Sequence, residues 1–463
     1  MSSLEKIFKL KEHNTTVKTE IVAGITTFMT MAYILAVNPN ILSATGMDSG
    51  AVFTATAISS MVGCVFMALL ANYPFALAPG MGLNAFFAYT VVLKMGYSFE
   101  TALTAVFIEG IIFILLSVTN VREAIFNAIP RNLKGAVSVG IGLFIAFIGL
   151  QNAKIVISGP TLVSIFSLEG YNQINQVEGV VATFNNLGIT VLLAILGVLI
   201  TSILVIRNVK GNILIGILIT WILGIICQLT GIYTPEPALG MYNLIPDFSN
   251  GLSIPSLAPT FFKFNFHEIM SLEFFVVVFS FLFVDMFDTL GTLIGVSTKA
   301  NMLDEEGKLE NIRGALLADS FGTVTGAILG TSTVTTFVES ASGVSEGGRT
   351  GLTAITTGIL FLLSLFLAPI FLAIPAFATA PALIVVGFYM FTNAVHIDFD
   401  DFSEAIPSYI CITSMPFFYS ISEGISMGVI SYVVINLISG KSKKITPLMY
   451  VLAILFTLKY IFL

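Results

Sequence analysis

The chain has 463 residues, of which 56% are hydrophobic and only 10% are charged, and its mean hydropathy is +0.96. Soluble globular proteins carry about 25% charged residues, so this composition excludes a soluble protein and predicts a polytopic membrane protein. The net charge of -7 includes no basic cluster beyond Lys441, Lys443 and Lys444, which argues against nucleic acid as a partner.

Neither the N-terminus nor the cysteines and histidines carry a further signal. Residues 1–14 lack an apolar core followed by small residues, so no cleaved signal peptide is predicted. The cysteines stand singly in apolar stretches, and the histidines are far apart near predicted loops, so no disulfide framework and no metal site are expected. These residues are Cys64, Cys227, Cys411, His13, His267 and His396.

Apolar stretches along the chain predict fourteen transmembrane segments, in two groups of seven. The first seven lie at roughly 19–41, 51–72, 74–94, 101–118, 132–152, 185–206 and 212–230. The second seven lie at roughly 272–297, 313–328, 330–343, 350–372, 379–396, 404–419 and 421–440. A last apolar stretch, 446–463, forms either a fifteenth helix or an interfacial helix, and Lys459 within it favours the interfacial position.

The distribution of lysine and arginine orients this topology. With the N-terminus in the cytoplasm, 16 of the 20 cations fall inside and 4 do not, as the positive-inside rule requires. Those inside are Lys6, Lys9, Lys11, Lys18, Arg122, Arg131, Lys134, Arg207, Lys210, Lys299, Lys308, Arg313, Arg349, Lys441, Lys443 and Lys444, and the others are Lys94, Lys154, Lys263 and Lys459. The long loops near 153–184 and 231–270 are then external.

The two halves resemble each other. Residues Thr101 to Ser117 align with Thr350 to Ser364 after two single-residue gaps, which pairs segment 4 with segment 11. A repeat of seven crossings is odd in number, so its two copies have opposite orientations in the membrane. Inverted repeats of this kind are typical of transporters.

Segments 3 and 10 are equivalent in this repeat, and both lose helical character midway. Pro79, Gly80 and Gly82 disfavour helix in segment 3, while the β-branched and aromatic run from Thr333 to Val338 favours a short extended stretch in segment 10. Non-helical backbone at membrane depth is tolerated where protein encloses it or where it lines an aqueous cavity. Paired broken segments therefore predict the binding site of a transporter.

Two carboxylates, Asp285 and Asp288, lie in the middle of segment 8, where an ionised group facing lipid is costly. Three residues apart on a helix, they can face one cavity. Because neighbouring carboxylates resist joint ionisation, we expect one of them to hold a transported proton. A carboxylate also suits a planar heterocycle, since it accepts two N–H bonds side by side. The alternative is that one aspartate only bonds a neighbouring helix.

Glu339 follows the extended stretch of segment 10, near the start of a half-helix. There it either contacts a ligand or only places a negative charge at the helix N-terminus, where the helix dipole favours it. The hydroxyls and the aromatic ring around it favour ligand contact, with Thr335 and Phe337 contributing. Asn84 of segment 3 can bond the substrate or hold Asp285. Phe75 and Phe337 are positioned to stack on a ligand, although most phenylalanines meet lipid or pack helices.

Four further polar residues are not assigned to the binding site. Asp319 precedes a ladder of small residues in segment 9 and is expected to bond across a helix contact. Glu109 also lies inside an apolar segment. Arg349 and Glu346 near the cytoplasmic end of segment 10 predict a surface or gating ion pair.

Three motifs carry a resemblance to a known family. The stretches Ala78 to Phe87, Phe283 to Thr292 and Gly330 to Ser340, together with Thr26 to Pro39, resemble the signatures of the azaguanine-like purine permeases, carriers of hypoxanthine, guanine and adenine in the nucleobase-ascorbate transporter superfamily. The resemblance runs from about Thr19 to Lys441. It implies an all-α membrane protein with a uracil-permease-like fold of fourteen segments. It also implies that Asn84, Asp285, Asp288 and Glu339 serve purine recognition and proton coupling.

The predicted organisation follows that resemblance, with a core of segments 1–4 and 8–11 that moves against a gate of segments 5–7 and 12–14. The boundaries are 1–18 for the cytoplasmic N-terminus, 19–118 and 272–372 for the core, 119–271 and 373–440 for the gate, and 441–463 for a hydrophobic extension. The expected function is proton-coupled import of a purine base across the cytoplasmic membrane, with no cofactor, with sodium left open as the coupling ion and a homodimer plausible by analogy.

Two other classes compete with this hypothesis. An anion carrier or exchanger of the same fold is expected to have cationic or neutral groups at the half-helix ends, where this chain has carboxylates. An intramembrane aspartyl protease needs two aspartates on different helices and a Gly-x-Gly-Asp stretch, which the chain lacks. The sequence leaves the preferred purine open, because adenine and hypoxanthine differ by one amino group against one carbonyl.

Overall fold

The computed structural model describes residues 3–119, 129–159, 162–176, 179–249, 251–267, 269–300, 302 and 309–462. Arg122 and Lys308, which enter the orientation argument, lie outside these ranges. Within them the chain is mainly helical, and nine helical stretches are long and apolar enough to span a bilayer. The prediction of an all-α membrane protein is confirmed.

The helices follow the predicted segments closely in the first half. Segment 1 comprises the helices Val17–Met31 and Ile34–Ser43, and segment 3 comprises strand β1 (Leu77–Pro79), the helix Met81–Ala85 and the π-helix Phe86–Lys94. Segments 2, 4, 5 and 7 are Ser49–Leu70, Phe99–Val118, Arg131–Asn152 and Asn212–Leu229, and segment 6 joins Phe184–Gly188 to Ile189–Ile206. Shorter elements are the helices Ser3–Phe8 and Leu168–Ile174, the turn Pro237–Leu239, and the paired strands β2 (Val156–Ser158) and β3 (Val163–Ile165).

The second half repeats this order. Segments 8 and 9 are Leu272–Ala300 and Ile312–Leu329, and segment 10 comprises strand β4 (Val334–Thr336) and the helix Ser340–Ser345. Segment 11 is Gly351–Leu363, Ser364–Leu367 and Ala368–Leu372, segment 12 is Ala376–Phe391 and Thr392–His396, and segments 13 and 14 are Phe402–Phe417 and Ile421–Ile438. The turn Ser442–Lys444 leads to the C-terminal helix Pro447–Phe462.

The helices pack in two groups. Segment 2 contacts segments 9 and 11, segment 9 contacts segment 4, and segment 11 contacts segment 1. Segment 5 instead packs against segments 12 and 13, segment 13 against segment 14, and segment 6 against segments 7 and 12. The two repeats therefore interleave, because helices from both halves of the chain occur in each group.

The C-terminal helix packs along segment 14 and runs antiparallel to it. Near its end the Tyr460 hydroxyl bonds Glu423, which lies in the first turn of segment 14. Midway, the ring of Phe456 contacts those of Phe279 and Phe283 in segment 8, with centroids 6.0 and 6.1 Å apart. This helix therefore buries an apolar face against two transmembrane segments, while the two sequence alternatives, a fifteenth helix or an interfacial helix, both stay predictions.

A buried carboxylate joins segment 1 to segment 11. Glu20 is wholly buried, and its oxygens accept the backbone N–H groups of Arg349, Thr350 and Thr353 at 2.9 to 3.2 Å. It also accepts the Thr353 hydroxyl at 2.6 Å. The first N–H groups of a helix have no partner within the helix, so Glu20 supplies what segment 11 lacks at its start.

We predict that Glu20→Ala lowers the thermal stability of the detergent-solubilised protein markedly. The substitution leaves several buried donors without an acceptor, and each such group costs about 1–3 kcal/mol. The measurement is the midpoint of thermal unfolding. The control is Glu12→Ala, which removes an exposed carboxylate that pairs with Lys9. Equal midpoints for the two variants would contradict this role of Glu20.

Candidate functional site

The broken segments 3 and 10 meet at a two-stranded antiparallel sheet. Strands β1 and β4 pair with Leu77 opposite Thr336 and Pro79 opposite Val334, and all six of their residues are buried. The backbone N–H of Gly80 extends the pairing by donating to the Thr333 carbonyl at 3.0 Å. Protein thus encloses the non-helical backbone of both segments, as membrane depth requires.

Glycine is needed at position 80 because the two segments approach each other closely there. A Cβ atom at Gly80 would lie 2.7 Å from Cγ2 of Thr335, inside van der Waals contact, and 3.5 Å from Oδ2 of Asp288. The Asp288 carboxylate of segment 8 therefore lies beside the start of the helical part of segment 3. Segments 3, 8 and 10 meet at this point.

A cluster of buried oxygens lies behind the sheet and centres on Thr289. The Thr289 hydroxyl is 2.8 Å from Oδ1 of Asp285, 3.0 Å from Oδ1 of Asp319 and 2.6 Å from the Thr335 hydroxyl. Asp285, Thr289 and Asp319 are wholly buried, and Thr335 is 1% exposed. Three elements, segments 8, 9 and 10, thus share one hydrogen-bonded cluster, which we call the Thr289 cluster.

Two other carboxylates remain accessible. Asp288 and Glu339 are each partly exposed, whereas Asp285 and Asp319 are not. Oε1 of Glu339 accepts a hydrogen bond of 2.8 Å from the hydroxyl of Tyr33 in segment 1. Asp288 interacts electrostatically with both Glu339 and Asp319, so the accessible pair and the Thr289 cluster are neighbours. Asp288 and Glu339 are therefore the predicted carboxylates that a ligand can reach.

The remaining predicted site residues are enclosed by protein. The Asn84 side chain donates to the Pro79 carbonyl at 3.3 Å and accepts from the Ser332 hydroxyl, so it joins segments 3 and 10. Phe75 is wholly buried, and its ring contacts that of Tyr73 at 5.3 Å. Phe337 is 6% exposed, and its backbone extends the sheet. Their predicted contacts with a ligand stay predictions.

The two structural predictions at other polar positions have different outcomes. Asp319 does bond across a helix contact, to Thr289 of segment 8. The described contacts of Glu346, however, pair it with Lys210 on the loop between segments 6 and 7. The Arg349 guanidinium instead donates to the carbonyls of Val344 and Gly348, both at 2.7 Å. The predicted pair of Arg349 and Glu346 is therefore wrong, because the loop brings a cation to Glu346 from 136 residues away.

The sequence interpretation missed two residues of this site. Thr289 is four residues after Asp285, a spacing that puts both on one helix face and that could have been noticed. Tyr33 gave no such signal, because its partner Glu339 is 306 residues away. Glu109 was recognised only as a carboxylate in an apolar segment, and its Oε2 accepts the Thr333 hydroxyl at 2.9 Å beside strand β4.

This geometry separates two chemical tasks. Ionised carboxylates only accept hydrogen bonds, so Asp288 and Glu339 can bind the N–H groups of a small polar molecule. Such a molecule cannot reach Asp285 and Asp319 of the Thr289 cluster in this structure, because both are wholly buried. They bond to hydroxyls instead, and Asp288 is an electrostatic neighbour of Asp319.

Comparison with known proteins agrees with a transporter. A model described as "Permease family" matches residues 18–427. Over 472 residues the chain is 44% identical to the guanine/hypoxanthine permease PbuG of Bacillus subtilis, covering 99% of this chain and 100% of PbuG. Over 468 residues it is 41% identical to the adenine permease AdeP of Escherichia coli, covering 99% of this chain and 96% of AdeP.

A solved structure supports the fold. The transmembrane domain of the cyanobacterial bicarbonate transporter BicA superposes with a TM-score of 0.61 at 16% identity, covering 89% of this chain and 97% of that domain. At this identity the likeness concerns the fold alone. Since the family model and both relatives cover most of the chain, it belongs to the Permease family, and the membership of the nucleobase-ascorbate transporter superfamily predicted from its motifs is confirmed.

Proposed function

We propose that this protein imports purine nucleobases across the cytoplasmic membrane and couples their uptake to protons. Relatives that match the chain over nearly its whole length are named as adenine and guanine/hypoxanthine permeases, which supports a purine base as the substrate. The observation that carries the proposal is the pair of partly accessible carboxylates, Asp288 and Glu339, beside the sheet of segments 3 and 10.

The carboxylates suit the edge of a purine. Every purine base carries at least one ring N–H, and adenine and guanine add an exocyclic amino group. Each of these donors needs an acceptor when the base leaves water, because an unpaired buried donor costs about 1–3 kcal/mol. Glu339 and Asp288 supply such acceptors. An ionised carboxylate at either position disfavours an anion, so the alternative of an anion carrier is not supported.

Counting hydrogen atoms in the Thr289 cluster supports proton coupling. The Thr289 hydroxyl has one proton but contacts three oxygens. The Thr335 hydroxyl can donate to Thr289, and Thr289 can donate to one aspartate. The contact with the other aspartate is then favourable only if that aspartate is protonated, because its carboxylic acid can then donate a hydrogen bond to the Thr289 oxygen. We propose that Asp285 and Asp319 share one proton, since two buried carboxylates on one hydroxyl resist joint ionisation.

The helix packing supports the proposed movement. Segments 1, 2, 4, 9 and 11 contact one another, as do segments 5, 6, 7 and 12–14, in agreement with the proposed core and gate. The site residues lie on segments 1, 3, 8, 9 and 10 of the proposed core. Rocking of this core against the gate would expose the site first to one side of the membrane and then to the other. The excess of inside cations supports a cytoplasmic N-terminus.

The test is uptake of radiolabelled hypoxanthine by cells or proteoliposomes that contain the protein. Unlabelled adenine, guanine, hypoxanthine and uracil are added as competitors, with and without a protonophore and with sodium replaced by potassium. We expect competition by purines, loss of accumulation with the protonophore and no effect of sodium replacement. Uptake that requires sodium would overturn the proton coupling, and the absence of purine uptake would overturn the function.

A further inference from the structure

Segment 1 reaches the site at a break between two helices. The helix Val17–Met31 ends one turn before Ile34–Ser43 begins, and Tyr33 lies in that turn. Its side chain is wholly buried, and its hydroxyl donates to Oε1 of Glu339 at 2.8 Å. The first motif of the chain thus contributes a side chain that bonds a carboxylate 306 residues further along the sequence.

Tyr33 lies among the polar groups of the site. It interacts electrostatically with Glu339, with Asp288 and with Tyr389 of segment 12. A phenol can donate one hydrogen bond, and here its acceptor is Oε1 of Glu339. The hydrogen bond to Oε1 leaves further lone pairs on the partly exposed carboxylate of Glu339, and these can accept a hydrogen bond from a ligand.

We propose that Tyr33 is a positioning residue for base recognition, which holds the Glu339 carboxylate in the orientation that accepts an N–H of the substrate. This inference rests on the proposed function. A glutamate side chain that is free to rotate loses conformational entropy when a ligand fixes it. The hydrogen bond from Tyr33 fixes the carboxylate before the base arrives, so base binding does not bear that cost.

The test is Tyr33→Phe, which removes one oxygen atom and keeps the ring in its buried place. We expect the KM for hypoxanthine to rise about tenfold while the maximal rate stays within about twofold, because hydrogen bonds to charged groups are among the stronger ones. The matched control is Tyr432→Phe. Tyr432 is also buried and donates to a carboxylate, Glu404 at 3.3 Å, but on segments 13 and 14. The control is expected to keep the KM unchanged.

A second measurement separates positioning from a general loss of packing. Hypoxanthines methylated singly at N1, N3, N7 or N9 are used as competitors of uptake in the unaltered protein and in Tyr33→Phe. The analogue that lacks the N–H facing Glu339 is expected to bind both proteins equally, while the other analogues bind Tyr33→Phe more weakly.

The outcomes distinguish this inference from the proposed function. An unchanged KM in Tyr33→Phe, in a chain that imports hypoxanthine normally before substitution, would overturn the role of Tyr33 alone. An equal weakening of all analogues, or a fall in the maximal rate without a rise in KM, would also overturn it. Absence of purine uptake by the unaltered protein would overturn both.

Discussion

Replacing Glu339 by glutamine is expected to reduce purine uptake at least about 100-fold. The amide has nearly the shape of the carboxylate, so the fold and the membrane content should be preserved. It presents donors of its own and no charge, however, and a site that leaves polar groups unpaired rejects its ligand strongly. The measurement is the initial rate of labelled hypoxanthine uptake, normalised to the amount of protein in the membrane.

The matched control is Glu346→Gln, seven residues further along the same segment. Glu346 bonds Lys210 away from the sheet, and surface ion pairs of this kind contribute about 0–1 kcal/mol. Its uptake is expected to stay close to that of the unaltered protein. Normal uptake by Glu339→Gln would show that this carboxylate does not bind the substrate, and the proposed site would then be wrong.

A second large effect is expected from Asp285→Asn. The asparagine cannot take up and release a proton, so uptake driven by a proton gradient should nearly disappear. Because Asp285 is enclosed while Asp288 and Glu339 are accessible, we expect exchange of internal unlabelled base for external labelled base to persist at a measurable rate. The measurement compares accumulation with exchange in the same proteoliposomes.

The control for this substitution is Thr289→Ser, which keeps the hydroxyl that joins Asp285 to Asp319. It should retain coupled accumulation. Asp319→Asn is expected to behave like Asp285→Asn if the two aspartates share one proton. Full accumulation by either aspartate variant would contradict the shared proton. It would leave the proposed purine function standing, because the variant would still take up the base.

The order of transmembrane segments is predictable because each helix must pair its backbone N–H and C=O groups internally and must present apolar side chains to lipid. Those requirements are local, and the observed helices begin and end within a few residues of the predicted ones. The breaks in segments 3 and 10 are also local, since Pro79, Gly80 and the β-branched residues before Phe337 disfavour helix wherever they occur. Their pairing into one sheet follows from the repeat.

Contacts between distant residues were predicted less well. The sequence leaves the C-terminal helix either across the membrane or at its interface, and only the structure shows that it packs against segment 14 and the ring of Phe283. Likewise, the ion pair of Arg349 and Glu346 was inferred from their closeness in sequence. Lys210 reaches Glu346 instead, because the loop between segments 6 and 7 folds over the end of segment 10.

The sequence by itself determined the class of protein, its segments, its family and the acidic residues on segments 8 and 10. Only the tertiary structure decided which carboxylates are accessible and which are enclosed. Asp285 and Asp288 are three residues apart on one helix, yet one is wholly buried beneath Thr289 while the other is partly exposed beside Gly80. Accessibility depends on which neighbouring segments cover a side chain, and residues far along the chain supply that cover.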